Sequence, residues 1–129
     1  MSLPLTIEAT VKTPTVEGQP DCPFPLSFTS QYDHLVKNRY TFTGSGTKAV
    51  DFGSLTTLGA KAFAITVDPD TSSAATPVTV AFNGSATGVL EVAPGGFILF
   101  GSPKPTAAGI TDMTITYAAS VKMYVWIFG

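Results

Sequence analysis

Apolar and polar residues alternate in short runs along most of this chain. Leu5, Ile7, Ala9 and Val11 alternate with Thr6, Glu8, Thr10 and Lys12. A period of two places successive side chains on opposite faces of an extended strand, so this run predicts a strand with one wet face. Val36, Asn38, Tyr40 and Phe42 predict a second strand, and Lys48, Val50 and Phe52 a short one before Gly53. Phe63, Ile65 and Val67 predict another, as do Val78, Val80 and Phe82, then Leu90 and Val92, and then Met113, Ile115 and Tyr117. Phe97, Ile98, Leu99 and Phe100 form a continuous apolar run, which predicts a strand covered on both faces.

Turn residues separate these runs. Gly44-Ser45-Gly46 and Pro94-Gly95-Gly96 mark turns. Asn83-Gly84 fits a type I′ turn, whose two central residues need positive φ. Asp68-Pro69-Asp70 and the small residues up to Thr76 read as a loop, and Pro103 and Pro105 start another. Residues 13–25 hold Pro14, Gly18, Pro20, Pro23 and Pro25. Proline joins neither a helix interior nor a central strand, so this segment reads as a long Pro-rich loop or arm anchored by Phe24, Leu26 and Phe28. The pattern is that of roughly eight to ten short strands and no helix. The predicted fold is all-β: a single antiparallel β-sandwich domain over residues 1–129, of jelly-roll type.

The last run is the exception to the one-wet-face rule. Val121, Met123, Val125 and Ile127 occupy one face, and Lys122, Tyr124, Trp126 and Phe128 the other. The first row suits the chain's own core. The second is also largely apolar and needs a further layer of this chain or a different chain over it.

Composition narrows the picture. A chain of 129 residues buries roughly two-thirds of its unfolded surface, enough for a core without staples. Charged residues make up 12%, about half the usual share, which suits a surface that is covered in an assembly. The net charge is −2 and the seven basic residues are scattered in sequence, which argues against nucleic acid as a partner. Cys22 is the only cysteine, so no internal disulfide forms, and its neighbours Asp21 and Pro23 offer nothing to activate a thiol. The first residues lack the basic and apolar regions of a signal peptide, and no apolar run reaches the ~18 residues of a membrane helix. The expected site of synthesis is a cytoplasm, with no membrane partner.

Candidate chemistry is sparse. His34 and Asp33 with a serine would make a triad by inventory, but no Gly-x-Ser-x-Gly elbow is present, and His34 reads as a loop or strand-edge residue. His34 and Cys22 give no zinc pattern, and Asp68 and Asp70 lack the rest of a calcium loop. No catalytic, cofactor or metal residue is assigned, and the expectation is a protein that is not an enzyme. The informative set is aromatic. Tyr124, Trp126 and Phe128 share a face and suit either an internal layer, an interface between chains, or a platform for sugar rings.

Several stretches resemble small all-β structural proteins of tailed-bacteriophage particles. They are Thr43-Gly44-Ser45-Gly46-Thr47-Lys48-Ala49-Val50-Asp51-Phe52-Gly53, the strand between Gly59 and Pro69, Val92-Ala93-Pro94-Gly95-Gly96-Phe97, and Val125-Trp126-Ile127-Phe128-Gly129. The resemblance implies a virion protein with a β-sandwich fold, built as a homo-oligomer and made in the host cytoplasm. Its expected role is head decoration or cement bound to the major capsid protein or other virion proteins, with a tail, baseplate or fibre component as the alternative. The resemblance carries over no functional residue. Outside that class, a carbohydrate-binding module with Trp126 and Tyr124 as platform stands as the alternative, and a hydrolase after it.

Overall fold

The computed structural model describes residues 3–11, 24–53, 55, 59–69, 76–85, 89–102 and 109–129. They form ten strands: β1 (Leu3–Val11), β2 (Phe24–Tyr32), β3 (Leu35–Phe42), β4 (Gly46–Ala49), β5 (Ala62–Val67), β6 (Val78–Phe82), β7 (Val89–Val92), β8 (Phe97–Gly101), β9 (Met113–Tyr117) and β10 (Val121–Phe128). No helix occurs among the described residues. The fold is all-β and antiparallel, with two four-stranded sheets in a sandwich-like arrangement. One sheet has the order β3-β10-β5-β8, the other β4-β9-β6-β7, and β1 pairs with β2 as a separate hairpin.

The pairings nest. β6 pairs with β7, β5 with β8, β4 with β9 and β3 with β10, as in a long hairpin folded over itself. The pairings β10–β5 and β9–β6 then close each sheet. The period-two rows explain why this packing holds. From β10, Met123, Val125 and Ile127 are fully buried, and from β5 so are Phe63 and Ile65. The opposite sheet answers with Val78 and Val80 of β6, Val92 of β7, and Met113 and Ile115 of β9, all within one core cluster. Each such side chain contributes about 1.5–3 kcal/mol when fully buried. Ring stacking joins the layers where Phe42 lies on Tyr117 at 4.0 Å and Phe63 on Phe82 at 5.6 Å, and within one sheet Phe63 also stacks on Phe100 at 4.7 Å.

The turn chemistry is as the residue types require. Asn83 and Gly84 both have positive φ, 53° and 68°, and the Ser85 amide donates to the Phe82 carbonyl. The Asn83 side chain does a second job. Its Nδ2 donates to the Gly109 carbonyl at 2.8 Å, while its Oδ1 accepts from the Thr111 and Asp112 amides, so the turn is tied to the segment leading into β9.

Three expectations are corrected. Residues 24–32 form β2, a strand that residue pattern alone did not predict; Phe24 and Pro25, placed at the end of the Pro-rich arm, open it in register with Val11 and Thr10. The rest of the arm, 13–23, lies outside the described residues. The run Phe97 to Phe100 is not covered on both faces: Ile98 and Phe100 pack against the core, while Phe97 and Leu99 are exposed. β4 ends at Ala49, so Val50 and Phe52, read as strand residues, lie in the segment that follows it, where both are buried.

One core group is strained chemically. The Tyr40 hydroxyl is buried without a hydrogen-bond partner among the described residues. Burial raises its pKa above the ordinary tyrosine value, with the nearby Asp51 backbone opposing the rise and the Asp51 charge adding to it. Tyr40→Phe therefore leaves stability unchanged or raises it by up to about 1 kcal/mol in a urea melt, because an unsatisfied buried donor is removed. The substitution also softens the alkaline limb of the stability curve. Unfolded Tyr40 loses its proton near pH ~10 while the native residue keeps it, so the wild type loses stability as pH rises past that point. Met123→Ala, in contrast, opens a cavity between fully occupied neighbours and costs about 2–5 kcal/mol in the same melt.

Candidate interaction surface

The outward row of β10 settles where each of its rings goes. Phe128 is covered by the chain's own third layer. It packs with Leu5 and Ala62, and its ring meets Tyr32 edge-on at 5.3 Å under the β1–β2 hairpin. Lys61 fastens that hairpin by donating from Nζ to the Gln31 carbonyl at 2.7 Å. Tyr124 and Trp126 lie beyond the hairpin's cover and are 39% and 40% exposed. Neither ring fills the space between the two large sheets, so the internal-layer reading applies to Phe128 and not to them.

Register builds the surface around these two rings. Trp126 stands between Lys37 of β3 and Ala64 of β5, and Ala64 stands beside Leu99 of β8. In the next row Tyr124 stands between Arg39 and Thr66, and Thr66 beside Phe97. Small residues on β5 thus form a low floor between bulky residues on β10 and β8. Phe97 is 66% exposed and Leu99 38%. Two shallow grooves result. One of about 250 Å³ lies over Ala64 and Thr66 between Tyr124 and Trp126. The other, of about 540 Å³, runs between Tyr124 and Phe97 to Asp68, Pro69, Gly95 and Gly96.

A rigid turn sets the end wall. Pro94 and Gly95 are its central residues, the Gly96 amide donates to the Ala93 carbonyl at 2.8 Å, and Gly95 has φ of 84°, as in a type II turn. The Gly95 amide donates to the Val67 carbonyl, and the Gly96 carbonyl accepts from the Val67 amide. A Cβ on Gly96 would lie 2.9 Å from the Ala93 carbonyl oxygen, so glycine is required there. The clamp fixes where β8 starts and holds Phe97 at the rim.

Cations lie along the β3 side. The Lys37 ammonium is 4.5 Å from the Trp126 ring centre, and the Arg39 guanidinium 5.6 Å from that of Tyr124. Such contacts contribute about 0.5–1 kcal/mol at exposed sites. They leave one flank of each ring engaged and the other turned to the groove.

The residues considered for catalysis are placed only in part. Asp33 and His34 sit in the turn between β2 and β3, where their amides donate to the Gly129 carbonyl. Cys22 and Asp70 lie outside the described residues. Among the described residues no group of three or more His, Cys, Asp or Glu side chains could hold a metal ion, and no helix is long and apolar enough to cross a membrane. Sequence reasoning found Tyr124 and Trp126 and missed Phe97, Leu99, Lys37 and Arg39. Their signal was the alternation within each strand, which becomes a surface only once the strand order is known. No protein family, curated protein or solved structure matches the chain.

The two ends of the β10 row should respond differently to truncation. Trp126→Ala costs about 1 kcal/mol of folding stability, since the ring is part-exposed, whereas Phe128→Ala costs about 3–5 kcal/mol or frees the hairpin. Denaturant melts give the first comparison. Hydrogen exchange across β1 and β2 gives the second, with faster exchange expected in the Phe128 variant alone.

Proposed function

We propose that this chain is a non-enzymatic structural protein of a tailed-bacteriophage particle, a head decoration or cement protein. The observation that carries the reading is the contiguous exposed set Phe97, Leu99, Tyr124 and Trp126 on one sheet face. At their exposures these side chains present roughly 300–400 Å² of apolar surface, taking about 150–250 Å² for each full aromatic side chain. Patches of that size on a single chain are often functional. They fall short of the ~800 Å² per partner of a standard interface, so a polar rim completes the contact. Low charge and the phage-like sequence stretches support the same reading. The mechanism is burial across the joints between capsid subunits, which stabilises the particle by mass action.

The nested pairing supports a finer reading of the fold, an eight-stranded jelly roll with the β1–β2 hairpin added outside one sheet. Jelly rolls occur among both capsid and lectin domains, so the fold leaves function to the surface. A carbohydrate-binding module is the second reading, favoured by the groove between the Tyr124 and Trp126 side chains. Against it, Lys37 and Arg39 already lie over those two rings. A tail, baseplate or fibre component is the remaining alternative within the particle.

If the assembly reading holds, Trp126→Ala weakens association with the particle by about 2–4 kcal/mol while the fold survives. Co-sedimentation with the parent capsid measures this. Unaltered co-sedimentation of a folded Trp126→Ala protein, together with saturable binding on a neutral glycan panel, would favour the carbohydrate reading instead.

A further inference from the structure

The charges on this face are one-sided. Lys37, Arg39 and Lys122 all occupy outward positions of β3 and β10, three of the chain's seven basic residues. No carboxylate stands on the outward strand positions of the β3-β10-β5-β8 sheet; Asp68 lies just past the end of β5, at the groove. The chain as a whole carries net charge −2, so this face has the sign opposite to the molecule. We infer that the occupant of this face is an acidic protein surface with an apolar centre, belonging to a different chain and not to the same face of a second copy. The inference rests on the interface reading proposed above and names the partner's chemistry.

Two arguments lead there. In an isologous contact the same patch meets itself, so Lys37 and Arg39 would approach their own counterparts with no carboxylate beside them, since Asp68 stands next to Lys122 at the far end of the face. Like charges opposed across an interface cost several kcal/mol. A partner with carboxylates around an apolar centre meets both features at once. Its apolar atoms fill the floor over Ala64 and Thr66, and its acids reach the cations at the β3 edge. Cations held over rings are also positioned before binding, which lowers the cost of ordering them.

Trp126 is the only tryptophan, so its fluorescence reports on this face alone. The test titrates the full chain with four probes: a glutamate–tyrosine copolymer, a lysine–tyrosine copolymer, oligothymidylate, and a neutral oligosaccharide. The expected result is a saturable blue shift with the acidic copolymer, weakened by added salt and reduced about tenfold or more in the Lys37→Glu/Arg39→Glu protein. Lys122→Glu, a single change at an exposed position, serves as the second variant should the double one not fold. A response to both copolymers alike, to oligothymidylate or the oligosaccharide alone, or to no probe overturns the inference. Sedimentation of the free protein is the companion measurement. Self-association that Trp126→Ala abolishes would overturn the acidic-partner inference while leaving the assembly reading in place; loss of the acidic response together with unchanged particle binding in Trp126→Ala would remove both.

Discussion

The structure depends on β10 being a central strand with two unlike faces. It is hydrogen-bonded to β3 on one side and β5 on the other, so its backbone needs nothing further. Its inward row is the axis of the core, and Met123, Val125 and Ile127 are completely inaccessible. A slip of one residue would exchange this row for Lys122, Tyr124, Trp126 and Phe128. Lysine in the core and four aliphatic side chains in water make that slip prohibitive. The register of β10 then sets the registers of β3 and β5, and through β5 that of β8. The composition of the outer face follows from that single alignment.

The outer face is divided lengthwise. At one end Leu5, Ala62 and Phe128 make a small second core beneath the β1–β2 hairpin. A two-stranded hairpin is marginal by itself, so it needs that contact as much as Phe128 needs the cover. Two short polar links help: Lys61 to the Gln31 carbonyl, and the amides of Asp33 and His34 to the Gly129 carbonyl. At the other end the same sheet carries Tyr124, Trp126, Leu99 and Phe97 in the open. The difference lies in what the hairpin can reach and not in the hydrophobicity of the two ends.

Much of this was legible in the residues. Period-two alternation located eight of the strands and a continuous apolar run a ninth, because inward positions here are almost uniformly aliphatic or aromatic. Asn83-Gly84 and Pro94-Gly95-Gly96 marked turns through their conformational needs, and the φ values agree. β2 was not legible, since Phe24-Pro25-Leu26-Ser27-Phe28 begins with a proline inside a Pro-rich stretch, and proline at a strand's start or edge carries no signal of pairing. The run from Phe97 to Phe100 misled for a different reason. Four consecutive apolar residues look the same whether both faces are covered or one faces solvent at a sheet edge. For the candidate surface, Tyr124 and Trp126 were visible as members of a surplus apolar row. Phe97, Leu99, Lys37 and Arg39 were not, because β3 meets β10, β10 meets β5 and β5 meets β8 only through long-range pairing.

The edges of the two sheets are guarded unequally. β3 carries Lys37 and Arg39 outward, and β4 is short and bears Lys48, both devices that discourage pairing with another strand. β8 has no charged residue in Phe97-Ile98-Leu99-Phe100-Gly101, its outward Leu99 is exposed, and Phe97 is the most exposed large apolar side chain among the described residues. An edge of that kind is a hazard unless something lies against it. The clamped Pro94-Gly95-Gly96 turn keeps β8 from fraying at its start, so the exposed row is presented at a constant height and not relieved by local unfolding. Stability has been arranged around an uncovered apolar strip where a single polar substitution at Phe97 or Leu99 would have removed the hazard without touching the core. Retaining the strip is coherent if the face is covered in use, and the cations along its opposite margin then distinguish which partners can cover it.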